Sequence, residues 1–174
     1  MRKLMVAAAL VAAMGLAAQS ASAQTTGVVR PFQFGVQADF ATNNYGPGIG
    51  ARVVYNGLGT TLKIPGLAAY GSFDYFFPSN AWGTGLSFWE INANATYDFR
   101  ISDLSGVVPY VGGGLNYAHL SANCAPFDCS ASNTGLNLLG GARFKISPKL
   151  NAYAEARFEL RTASAIVLTV GILF

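Results

Sequence analysis

Residues 89–100, WEINANATYDFR, decide how the chain folds. Every second residue sets Trp89, Ile91, Ala93, Ala95, Tyr97 and Phe99 on one side. The other side carries Glu90, Asn92, Asn94, Thr96, Asp98 and Arg100. Successive side chains of a strand point to opposite faces, so this unbroken alternation predicts one extended strand with an apolar face and a charged face. A helix is excluded: at about 3.6 residues per turn, Glu90, Asn94, Tyr97 and Asp98 would share a side and mix charge with an aromatic ring. Which face meets which solvent is a question for the rest of the chain.

The same period runs through seven further stretches, 31–41, 48–56, 67–77, 107–119, 134–145, 150–161 and 165–174. In 150–161, for example, Leu150, Ala152, Ala154, Ala156, Phe158 and Leu160 oppose Asn151, Tyr153, Glu155, Arg157, Glu159 and Arg161. The connections read as turns or loops: Asn43-Asn44-Tyr45-Gly46-Pro47, a loose Gly- and Pro-containing link at 57–66, a loop at 78–85, a turn at 101–106, a long loop at 120–133 and a tight turn at Ser147-Pro148. Eight segments of about ten residues have the length that a tilted strand needs to cross a bilayer. Every acidic or basic residue inside a strand lies opposite that strand's apolar series, and parity holds even where several charges share one strand.

Upstream, Met1-Arg2-Lys3, an apolar run from Leu4 to Ala18 and Ala21-Ser22-Ala23 have the form of a cleavable signal peptide, residues 1–23, ahead of a single domain at 24–174. The apolar run is short for a membrane-spanning helix. Of 11 Lys+Arg against 8 Asp+Glu, Arg2 and Lys3 leave with the leader. The remaining 9 against 8 gives a net charge of +1, no basis for binding nucleic acid. Only 11% of the chain is charged while 52% is apolar, sparse charge for a surface in water. After Ala23 no apolar run is long enough for a spanning helix.

Helices and closed barrels alone satisfy their backbone groups in lipid, so the expected fold is all-β: an eight-stranded, antiparallel, up-and-down transmembrane β-barrel with its apolar faces outward. A soluble barrel with the same alternation turned inward is the competing reading. Two features separate them. Aromatics such as Phe32, Tyr55, Trp89, Phe99, Phe144 and Phe174 gather near strand ends, as interface girdles do, and a soluble exterior would hold too few charges.

The run PYVGGGLNY, Pro109–Tyr117, with a closing strand that ends in Phe174, resembles the small outer-membrane barrels of the OmpX and OmpA-barrel type. That resemblance implies a monomer in the bacterial outer membrane, in contact with outer-membrane lipids. It also implies that Phe174 belongs to the signal read by the outer-membrane insertion machinery, and that the longer loops face outside. The expected function is non-enzymatic: envelope integrity and surface interaction, with an extracellular ligand at 120–133.

The polar side offers Arg52, Asp74, Glu90, Asp98, Arg100, Arg143, Lys145, Glu155, Arg157, Glu159 and Arg161. Eight strands enclose a lumen that side chains just fill, so paired charges plugging it are one reading and a small gated pore the other. Cys124 and Cys129, in CAPFDC, suggest a disulfide in an exported protein. Neither a metal site nor a cofactor is expected, because His119 is the only histidine and two thiolates leave a site incomplete. His119-Leu120-Ser121 is similar to the His-x-Ser of PagL-type lipid A deacylases. An acid to orient the base is missing, however: Asn133 and Thr134 stand where that family has its Glu.

Overall fold

The computed structural model describes residues 31–78, 86–99, 106–124 and 127–174. The expected leader and Arg100 fall outside them. Eight strands follow in chain order: β1 (Phe32–Ala41), β2 (Gly46–Tyr55), β3 (Leu67–Phe76), β4 (Ser87–Asp98), β5 (Val107–Cys124), β6 (Phe127–Ser147), β7 (Leu150–Leu160) and β8 (Ala165–Leu173). Each pairs antiparallel with the next, and β1 closes on β8 from Gly35–Leu173 to Ala41–Val167, which makes a closed barrel. Backbone bonds between Phe34 and Phe174, 2.8 and 3.4 Å, extend that seam to the chain end.

Burial decides between the two solvents. Inside, Glu90, Arg157 and Glu159 are 0% exposed, while Leu168 and Val170 on the outer face are 54% and 59% exposed. Alternation therefore runs polar-in and apolar-out, the reverse of a soluble barrel. The outer face of β3, β4 and β5 carries no Asp, Glu, Lys or Arg. Such a charge would cost about 2–4 kcal/mol at mid-membrane.

Two connections differ from expectation. The link 57–66 contains a helical turn, α1 (Leu58–Leu62), closed by Lys63 in the left-handed region. Gly59 permits it, because a Cβ there would lie 2.7 Å from the Ile64 carbonyl oxygen and 2.8 Å from that of Leu67. Ordered backbone, rather than slack, accounts for its length.

The expected loop at 120–133 is instead a continuation of the sheet. β5 runs to Cys124 and β6 starts at Phe127, with pairs unbroken from Val107–Phe144 to Cys124–Phe127. Apart from Leu120 and Phe127 its residues are mostly small or polar on both sides, as a ribbon in water on both faces requires, so the period-two signal fades where the strand leaves the bilayer-length wall. At the β1–β2 turn, Asn43 and Asn44 adopt φ of 61° and 64°, a left-handed pair that Asn tolerates.

Candidate functional site

The lumen is built in layers, and β3 shows the order. Its inward residues are Ala68, Tyr70, Ser72, Asp74 and Phe76. Tyr70 belongs to a buried cluster with Val54, Tyr110, Leu139, Tyr153 and Leu173. Phe76 belongs to a second cluster, with Ala41, Phe88, Ala118 and Val167, on which Tyr45 and Leu120 rest. Tyr45 stacks on Phe88 at 4.2 Å. Charge is thus held between two apolar layers, one toward each end of the barrel.

Four charges of that middle zone come from β7 and its end. Glu155 accepts two bonds from Arg52, Nη1 to Oε2 at 3.0 Å and Nη2 to Oε1 at 2.9 Å. It also accepts the hydroxyls of Tyr70 at 2.8 Å and Tyr110 at 2.9 Å. The Arg52 guanidinium lies over the rings of Tyr70 and Tyr153, 3.9 and 4.4 Å from their centroids. Its Nε donates to Gln37 at 3.0 Å, and Tyr153 donates to the same oxygen at 2.7 Å. Gln37 in turn donates to Asp39 at 3.0 Å and to Asp74 at 2.8 Å. Thr169 donates to Asp39 at 2.6 Å.

Arg157 donates to Asp74 at 3.1 Å and to Glu159 at 3.0 Å, and stands 3.6 Å from Glu90. Arg161 lies 2.8 Å from Glu90 and 2.9 Å from Glu159, with its guanidinium 5.3 Å from the rings of Tyr45 and Phe88. Toward the opposite end, Arg143 donates to Asp98 at 2.6 Å and lies over the Tyr110 ring. Gly50 makes room for part of this arrangement, since a Cβ there would strike the Asp74 carboxylate. Buried charges demand partners of opposite sign and hydrogen bonds for their remaining lone pairs; the Arg52–Glu155 pair has both, whereas the two Glu90 oxygens have Arg157 and Arg161 beside them but no hydrogen bond.

Arg52, Asp74, Glu90, Asp98, Arg143, Glu155, Arg157, Glu159 and Arg161 are therefore brought together in the lumen. Lys145 has the same parity but is exposed near the end of β6, beside a register shift between Lys145 and Ser147, and among the described residues it makes no ion pair. Sequence reasoning left out Gln37, Asp39, Tyr70, Tyr110 and Tyr153 as members of the network. Their inward parity was the available signal. His119 and Ser121 do not meet as a dyad: His119 Nδ1 contacts Ser132 Oγ at 2.9 Å, and Ser121 Oγ contacts Ser87 Oγ at 2.7 Å. No group of His, Cys, Asp and Glu able to hold a metal occurs among the described residues.

The second feature is the long hairpin of β5 and β6. β6 pairs with β7 only from Leu136–Leu160 onward, so residues 130–135 extend past the last β7 partner. Lys145 N–H donates to the Gly106 carbonyl, which makes odd-numbered residues of β6 the ones bonded to β5. By alternation, the N–H and C=O groups of Ser130, Ser132 and Thr134 point to the open side.

Residues 6–165 match the family described as outer membrane protein beta-barrel domain. No curated protein matches at a significant level. Among solved structures, Neisserial surface protein A is similar with a TM-score of 0.58 and 21% identity, over 82% of this chain and 94% of that one. The N-terminal barrel of Pseudomonas aeruginosa OprF is similar with a TM-score of 0.61 and 14% identity, over 82% and 96%. Ail, the attachment invasion locus protein of Yersinia pestis, gives 0.57 and 16%, over 82% and 94%, and has also been solved in complex with the heparin analogue sucrose octasulfate. At these identities the likeness concerns the fold.

Proposed function

Since the chain belongs to the outer-membrane protein β-barrel domain family, we propose that it is a non-enzymatic outer-membrane barrel with a sealed lumen that makes contacts at the cell surface through the β5–β6 hairpin. The observation that carries this reading is the open edge at 130–135. Exposed edges in natural sheets are usually blocked by charge, proline or a bulge. Here Ser130-Ala131-Ser132-Asn133-Thr134-Gly135 has neither charge nor proline, and its pairing to β5 is regular. Such an edge suits addition of an extended strand from an extracellular partner, in which main-chain bonds supply affinity. A Cys124–Cys129 bridge would stiffen the hairpin; the register sets the two on one face of the ribbon as diagonal neighbours, with Ala122 opposite Cys129 and Cys124 opposite Phe127.

The apolar layers around Tyr70 and Phe76, with the ion pairs between them, support a barrel that adds surface without a leak and so favours envelope integrity. Phe174, bonded through its backbone to Phe34, extends the seam that keeps the barrel closed. A sulfated-glycan partner of the kind solved with Ail finds little support. From the sequence, Arg161 is the only Lys or Arg in the four connections at the hairpin end, and it is buried in the lumen.

Ser130→Pro tests the reading, because it removes one outward N–H and leaves the odd-numbered bonds to β5 in place. Cells displaying the wild-type chain should adhere to matrix-coated surfaces more strongly than cells with Ser130→Pro or with 122–130 replaced by a short turn. Heat-modifiable gel migration should be unchanged in both variants. Equal adhesion by all three would refute the hairpin's role, and steady single-channel currents from the refolded wild type would refute the sealed lumen.

A further inference from the structure

Aromatic residues at the two ends of the barrel are arranged differently. At the end that carries α1 they go round the wall: Phe32 and Phe34 on β1, Tyr55 on β2, Tyr97 on β4 and Phe144 on β6. That is the girdle which any membrane barrel needs. At the hairpin end most of them, Phe73, Tyr75, Trp89 and Tyr117 with Phe77 just past β3, lie on β3, β4 and β5. Trp89 contacts Phe73 at 5.9 Å, Tyr117 at 5.7 Å and His119 at 5.2 Å, a continuous patch across β3, β4 and β5. Across the barrel, apart from Phe40 beside Leu168 and Phe158 beside Ile166, the outward residues at this level are aliphatic, as with Leu136, Leu160, Ile166 and Leu168.

Hydroxyls border the patch. Ser132 Oγ accepts from the Tyr117 hydroxyl at 2.9 Å and contacts His119 Nδ1 at 2.9 Å. The Ser87–Ser121 pair lies along its upper margin at 2.7 Å. Below the rings, toward the membrane centre, Gly71, Ala93, Ala69, Ala95 and Gly113 form a shallow recess of small side chains bordered by Leu115.

We propose that this wall binds a neutral glycolipid of the outer leaflet, its sugar stacked on Trp89 and Tyr117 and its acyl chain in the recess over Ala93 and Ala95. The flat face of a pyranose presents weakly positive C–H groups, which suit the negative face of an aromatic ring. Its hydroxyl rim needs donors and acceptors, which Ser132, His119 and the Ser87–Ser121 pair present. The wall has no outward charge to hold a phosphate or sulfate group. The bilayer-facing position favours a lipid-linked sugar over a soluble one, because the same strands continue downward as lipid-exposed Ile91 and Leu115.

The test uses the full chain refolded in phosphatidylcholine nanodiscs that contain equal amounts of digalactosyldiacylglycerol and phosphatidylglycerol with matched acyl chains. Lipid retained on the protein after gentle delipidation is counted by native mass spectrometry. With Trp82→Phe, Trp89 is the sole tryptophan, and its emission reports occupancy. Digalactosyldiacylglycerol should be retained about fivefold or more over phosphatidylglycerol, on the scale of one or two aromatic contacts. Trp89→Leu and Tyr117→Leu should abolish the preference, and Leu168→Ala on the opposite wall should leave it intact. Should a ring variant fail to assemble, Ser132→Val and Ser121→Val remove only hydroxyls and should each lower the preference. Equal retention of the two lipids, or a preference that survives the ring or hydroxyl changes, would overturn the proposal. Displacement by free digalactose would overturn the assignment to a membrane lipid.

Discussion

Replacing Arg52 and Glu155 singly and together measures how dry the lumen is. The pair is bidentate, at 2.9 and 3.0 Å, and both side chains are buried. With charge centres about 4 Å apart, Coulomb attraction is about 1 kcal/mol in bulk water and about 4 kcal/mol at the effective dielectric of a protein site. Arg52→Met leaves the Glu155 carboxylate with the Tyr70 and Tyr110 hydroxyls and with Arg157 at 4.0 Å in place of a bidentate partner. That should cost about 3–5 kcal/mol, the usual penalty for removing one partner of a buried pair. Glu155→Gln strands the guanidinium and should cost a similar amount. The double variant leaves a neutral amide whose oxygen accepts from one tyrosine and whose NH2 donates to the hydroxyl oxygen of the other, so it should be far less damaged than the sum of the singles. A coupling of about 2–4 kcal/mol is expected for a sealed lumen, against less than about 1 kcal/mol for an exposed, screened pair. Urea-driven unfolding in phospholipid vesicles, followed by heat-modifiable migration and tryptophan emission, gives the values. Strictly additive single changes would mean that water reaches the pair, and the closed-lumen reading would fail.

Three neighbouring changes have contrasting outcomes in the same assay. Val170→Lys puts a charge on the outer face of β8, at a side chain 59% exposed, and should cost about 2–4 kcal/mol if that position lies near mid-membrane. Thr169→Val, one residue away but inward, removes the hydroxyl that donates to Asp39 at 2.6 Å and should cost about 1.5–3 kcal/mol, the range for a bond to a charged group. Lys145→Ala should change stability by no more than about 0.5 kcal/mol, since the side chain is exposed and unpaired among the described residues. Exchanging Glu155 with Arg157 keeps composition and parity but sets Arg against Arg52 and Glu against Asp74, so the barrel should fail to gain the folded gel form; normal assembly would refute the pairing scheme.

Parity alone was enough to read eight strands and their outward faces, because a lipid-facing wall tolerates no charge and each charged residue therefore reports its side. The same rule turns Glu90, Arg157 and Glu159 inward, and all three are buried. It did not say who would meet whom. That Glu155 would find Arg52 from β2, and Arg157 would find Asp74 from β3, depends on strand tilt and stagger around the whole cylinder, which no local pattern encodes. Tyr70, Tyr110 and Tyr153 had inward parity but no charge to draw attention, although their hydroxyls complete the site. The hairpin reads as a loop for a physical reason: beyond Tyr117 and Thr134, Leu120 and Phe127 apart, the ribbon is mostly polar or small on both faces, so alternation ceases while the backbone pairing continues. The helical turn at Leu58–Leu62 is five residues long, too short to impose a period.

The cross-lumen pairs also supply something that hydrophobic alternation cannot. A slip of one residue between strands turns every side chain over and is forbidden by the bilayer, whereas a slip of two restores the same faces and leaves the outer wall equally apolar. Alternation therefore fixes register only to within a multiple of two. β7 presents Glu155, Arg157 and Glu159 at that same spacing with alternating sign, and Arg161 continues the series. Their partners come from β2, β3 and β4, none of which adjoins β7 in the sheet. A two-residue slip would move Arg157 to the level where Glu155 now stands, facing Arg52, or in the other direction move Glu155 to the level of Arg157, facing Asp74. Each wrong register thus meets like charge in a dry interior. The ionic spine, on this argument, works less as a source of net stability than as a selector among barrels that lipid alone would accept equally.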